Sequence, residues 1–158
     1  MPSTTRTVTI NPAFFQEIKD DNRHLRDLRI AVQALIENRR VLRSHRNRLV
    51  TLLDELRDQL GMHFTLEETF GYFDDAIDVA PHLAESADRL RQEHRELFAT
   101  IVDIVENASG TQGNGFPSQQ VHKLVARIHE FEQQLTKHEE EETRLIFETM
   151  HRDIGGEG

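Results

Sequence analysis

Apolar residues recur at steps of three and four along most of the chain and nowhere alternate over a strand-length run. Four stripes stand out. The first is Phe14, Ile18, Leu25, Leu28, Val32 and Leu35, and the second is Leu49, Leu52, Leu56, Leu60 and Phe70. Leu83, Ala87, Leu90, Leu97 and Ile101 make the third, and Val121, Leu124, Ile128, Phe131, Leu135 and Leu145 the fourth. Spacing near 3.6 puts each set on one face of a helix, so the pattern predicts four amphipathic helices. Asn11-Pro12 reads as an N-cap followed by proline at the first helical position. Ala80-Pro81 breaks the chain again, and residues 109–115 with Pro117-Ser118 read as a glycine-rich loop. Short connections between helices predict an all-α, antiparallel up-and-down four-helix bundle. Its expected limits are residues 12–151, with a flexible arm at 1–11 and a flexible tail at 152–158. The first junction has neither glycine nor proline; residues 39–48, RRVLRSHRNR, carry five arginines and read as a solvated turn.

Composition narrows the function. With 158 residues, a single domain can bury a real core. The absence of cysteine excludes a disulfide scaffold, a zinc ribbon and an iron–sulfur cluster. A net charge of −9 argues against nucleic acid as the main partner, because phosphate contacts need a basic face. Apolar runs stop at three residues, too short to span a bilayer, and residues 1–11 lack the apolar centre of a secretory signal. The expected location is the cytoplasm, with no membrane partner. Histidine is the anomaly, with nine residues.

Several of these histidines interrupt the stripes. His24 lies four residues before Leu28, His63 three after Leu60, His94 between Leu90 and Leu97, and His138 three after Leu135. Glu67 follows His63 by four and Glu142 follows His138 by four, a spacing that puts both side chains on one helix face. In an antiparallel pair, residues level with each other are equally far from the turn. The midpoint of 24 and 63 is 43.5, inside the arginine-rich junction. Taking 65 for His63/Glu67 and 140 for His138/Glu142, the midpoints with 94 fall at 79.5 and 117, beside the other two breaks. The six residues therefore belong to one layer. A hydrogen-bonded polar layer is the bland alternative, but unpartnered buried polar groups cost roughly 2–7 kcal/mol each, which favours a bound metal. Imidazole with carboxylate suits iron, and manganese or zinc would also suit.

The remaining histidines fall out of phase or height with this layer: His45, His82, His122, His129 and His151. The ferritin-like signature needs glutamate-x-x-histidine on two helices, and this chain has it once, at Glu148–His151; His24 has Asp21 three before it. The zinc-protease pattern HExxH does not occur either.

The set His24, His63-x-x-x-Glu67, Glu93-His94 and His138-x-x-x-Glu142 resembles the hemerythrin-like, or HHE cation-binding, domain over residues 12–151. The resemblance implies two non-haem irons joined by an oxo or hydroxo bridge. It places His24 and His63 on one iron, His94 and His138 on the other, and Glu67 and Glu142 between them. Oxygen carriers of that family have a histidine four before the third-helix ligand, where this chain has Leu90, and an aspartate as the last carboxylate, where it has Glu142. One iron is thus expected to be a ligand short, completed by water or by Glu93, which argues against reversible oxygen carriage. The functions implied are binding of oxygen, peroxide or nitric oxide, or sensing or holding iron. A peroxide-degrading enzyme and a metal-stabilised interaction module are the alternatives.

Overall fold

A computed structural model describes residues 12–69, 81–110 and 118–155. Five helices follow in order: α1 (Pro12–Glu37), α2 (Arg39–Ser44), α3 (Arg46–Thr69), α4 (Pro81–Gly110) and α5 (Ser118–Gly155). Among the described residues there is no strand. The four long helices form the bundle: α1 lies along α3, α3 along α4, and α4 along α5, each pair antiparallel. Arg29 closes the ring from α1 to α5. Its guanidinium donates to Glu132 (2.9 Å from Nε) and Glu139 (2.5 Å from Nη1), with Thr136 Oγ1 at 3.2 Å.

The arginine-rich junction turns without glycine or proline because a cap and an apolar anchor replace them. Asn38 is extended (φ −115°, ψ 97°), and its side chain accepts from the Val41 N–H, so it caps α2. Leu42 is fully buried in the core. His45 then leaves helical geometry, donating its backbone N–H to Val41 O at 2.9 Å, and α3 begins. Arg43 donates to Ser118 Oγ, tying this turn to the start of α5.

Every stripe residue whose side chain is described is buried, from Leu25 on α1 to Leu145 on α5. Burying a leucine contributes about 1.5–3 kcal/mol, so these stripes drive assembly. The core is not continuous. A large cluster runs from the α2 end up to Leu60, Phe64, Leu97 and Leu135, and a small one joins Leu83, Ala87, Leu90 and Leu145. On α4, His94 separates Leu90 from Leu97, and on α5, His138 and Glu142 separate Leu135 from Leu145. The polar layer divides the two clusters.

Two boundaries differ from the expected ones. Residues 109–110 belong to the last turn of α4, and α5 runs through 152–155. No glycine or proline stands between 118 and 154, so nothing stops that helix before Gly155. The arm 1–11 with Asn11, the positions Phe70, Gly71 and Ala80, the rest of the 109–115 loop and the side chains of Phe14 and Ile18 lie outside the described residues. No described helix is long and apolar enough to cross a membrane.

Candidate metal centre

Three helices converge on the polar layer. Glu67 of α3, His94 of α4, and His138 and Glu142 of α5 each bring one donor atom within 4.8 Å of the others. Both imidazoles are buried, His94 at 3% exposure and His138 at 1%. His138 Nε2 lies 2.5 Å from Glu142 Oε1, and His94 Nε2 lies 3.2 Å from Glu67 Oε2 and 3.9 Å from Glu142 Oε1. His63 joins from one turn before Glu67, its Nε2 touching Glu67 Oε1. Phe64 packs among the rings, stacked on His94 and edge-on to His138.

The three imidazoles share an orientation. Each turns Nε2 towards the Glu67/Glu142 pair and Nδ1 towards an outer carboxylate. Those outer oxygens are Asp21 Oδ2 at 2.6 Å from His63, Glu68 Oε1 at 3.8 Å from His94, and Glu93 Oε2 at 3.7 Å from His138. Where the carboxylate accepts the ring N–H, as Asp21 does from His63, it orients a metal-ligating histidine and raises its basicity.

Charge is concentrated accordingly. Burial pulls the His63 pKa down, but the bonds and charges of Asp21 and Glu67 outweigh it and push it up to about 10. For His94 burial is again outweighed, by Glu142 and Glu67, and the value rises to about 9. Burial alone would raise Glu67; its histidine partners hold it far below the usual carboxylate range instead. Glu93 is raised by burial, helped by the Glu141 charge against the opposing pull of His138.

The donors fit a cation. Among the described residues, Glu67 Oε2, Glu142 Oε1 and both ring nitrogens of His138 are buried without a hydrogen bond of proper geometry. Leaving such groups unmatched is costly, and two imidazoles facing two carboxylates are a donor set for a first-row transition metal.

Of the six residues read as ligands, Glu67, His94, His138 and Glu142 come together, and His63 adjoins them through Glu67. His24 does not. It is exposed, while Asp21, one turn earlier, is buried against α3. On the α1 wheel, position 21 lies at the centre of the face carrying Leu25, Leu28 and Val32, and position 24 lies about 60° to its side. Asp21 and Phe64 are the two site residues that the spacing of histidines missed. A step of three from Ile18 and four to Leu25 marks position 21 as a stripe member, and that signal was available. His45, His82, His122 and His129 are exposed, away from the site, and the His151 side chain lies outside the described residues.

A helical bundle with a buried imidazole–carboxylate layer defines a class, the metal-binding four-helix proteins. The model of the hemerythrin HHE cation-binding domain matches residues 13–150, and the chain belongs to that family. Searches of curated proteins and of solved structures each gave no match.

Proposed function

We propose that the protein holds two non-haem irons in its polar layer and uses them to engage a small ligand, namely oxygen, peroxide or nitric oxide. The observation that carries this reading is the set of buried donor atoms on Glu67, His138 and Glu142 that, among the described residues, lack a hydrogen bond of proper geometry. His63 and His94 supply further imidazoles beside Glu67, which makes five donors, more than one tetrahedral ion needs. Bound iron would supply redox chemistry and an acidic coordination position for such a ligand. The chain's own residues do the rest. Leu83, Ala87, Leu90 and Leu145 wall one side of the layer with apolar surface, which limits bulk water there.

Peroxide breakdown is the second reading, and Leu90 favours it. One turn before His94 stands a side chain that cannot ligate, so the donor set falls short of two filled coordination shells. Metal analysis after anaerobic iron loading, with visible spectra before and after azide or peroxide, tests both. Two irons per chain and a ligand-responsive absorption band support the di-iron reading, and peroxide turnover selects the second. One ion or none per chain overturns it. A melting curve unmoved by chelation points instead to a hydrogen-bonded polar layer.

A further inference from the structure

α1 brings no imidazole to the centre, yet it buries a carboxylate beside it. Asp21 has a side-chain exposure of 4% and sits where α1 faces α3. Its two oxygens are spoken for by residues one turn apart on α3: Oδ1 accepts from Gln59 Nε2, and Oδ2 accepts from His63 Nδ1 at 2.6 Å. The opposite nitrogen of His63 touches Glu67. A continuous chain therefore runs Gln59–Asp21–His63–Glu67 from the flank of the bundle into the donor cluster.

Elementary imidazole chemistry gives this chain a direction. A carboxylate at Nδ1 requires a proton there, so the lone pair available to a cation is the one on Nε2. Two hydrogen bonds to Asp21, one from Gln59 and one from the ring, set the plane of that ring as well as its donor atom. Outer carboxylates of this kind are worth about 10–100-fold in metal affinity. The Asp21 bond is short and buried, whereas the corresponding contacts to His94 and His138, at 3.8 and 3.7 Å, are not hydrogen bonds.

We propose that Asp21, braced by Gln59, is the positioning residue of the metal centre. It holds the His63 ring with Nδ1–H on its carboxylate and Nε2 aimed at Glu67 and the donor cluster, and through that hold α1 takes part in the centre without ligating. The assignment rests on the metal-binding reading above.

Titration of the metal-free full-length protein with Co²⁺ tests it. Asp21→Ala is expected to weaken binding by about 10–100-fold. Asp21→Asn is expected to recover much of the loss, because its carbonyl oxygen can accept the same N–H. In a His63→Gln background, Asp21→Ala should have no further effect. In the metal-free wild type, NMR should show a strongly downfield His63 Nδ1 proton that disappears in Asp21→Ala. A structural brace between α1 and α3 would instead make Asp21→Ala equally damaging with and without His63, and that result overturns the proposal, as does wild-type affinity in Asp21→Ala. Should Asp21→Ala fail to fold, Gln59→Leu takes its place. It should weaken Co²⁺ binding only while His63 is present, and unchanged affinity overturns the proposal. A wild type that binds neither Co²⁺ nor Fe²⁺ overturns the metal-binding reading, and the Nδ1 resonance then judges the Asp21–His63 bond separately.

Discussion

The ring of Phe64 lies on the ring of His94, centroids 4.2 Å apart and planes 14° from parallel. The contact joins α3 to α4 at the level of the donor cluster and restricts rotation of the His94 imidazole. Aromatic pairs contribute about 0.5–1.5 kcal/mol beyond the area they bury. Phe64→Leu keeps the apolar bulk and loses the stack. Thermal unfolding of the metal-free protein should show a melting temperature lower by a few degrees, and metal titration should show weaker binding. Unchanged affinity in Phe64→Leu would mean that the glutamates alone orient His94.

Protonation sets a second expectation. The folded-state values of His63 and His94, about 10 and about 9, lie above the ordinary 6.5, so both rings are charged at neutral pH in the metal-free protein. A raised histidine contributes stability that is complete below about pH 6.5 and is lost as pH climbs through the folded value. The melting temperature of metal-free protein should therefore fall between pH 7 and 10. Metal requires the neutral ring, so loading at pH 7 should release about two protons, read by calorimetry in buffers of different ionisation enthalpy. A metal-free melting temperature that stays level or rises across this range contradicts the charge assignment.

How much of this was legible in the chain depends on the helix. On α4 and α5 the stripe runs through the site in unbroken steps of three and four, from Leu90 to His94 to Leu97 and from Leu135 to His138, Glu142 and Leu145. Convergence of those residues followed from periodicity together with the three turns. On α1 the same arithmetic pointed to position 21, but histidine chemistry drew attention to His24. Levels in a bundle resolve only to about one helical turn, so the midpoint test could not separate the two. The Phe64–His94 stack depends on side-chain geometry across two helices, which spacing within one helix does not encode. The helical junction around Leu42 was hidden for a related reason. Five arginines masked a single apolar residue that goes to the core.

Glu67 and Glu142 face each other from α3 and α5, each one turn beyond a histidine, whereas Glu68 points outwards at 42% side-chain exposure. Acting as the shared carboxylates of a two-iron centre, they should be individually essential to it. Glu67→Gln or Glu142→Gln should abolish magnetic coupling between the irons and lower the iron content per chain. Glu68→Gln should leave both unchanged apart from a small loss of affinity through His94. An intact coupled pair in both inner variants would assign the bridge elsewhere.

On the proposed di-iron reading, Leu90 bears on the chemistry of the centre. It is buried with Leu83, Ala87 and Leu145, four residues before His94 on the same face of α4. A donor at that position would complete the shell on the α4 side; leucine closes it with hydrocarbon instead. The wild-type centre should then keep one position exchangeable, bounded by apolar surface, and should turn over peroxide. Leu90→His places an imidazole one turn before His94, where it should tighten metal retention and slow peroxide turnover by removing that position. Iron release to a chelator and peroxide consumption, measured on the same loaded samples, test the two effects together. Reversible oxygen uptake without turnover in the wild type would defeat the argument, as would Leu90→His samples that match the wild type in both rates.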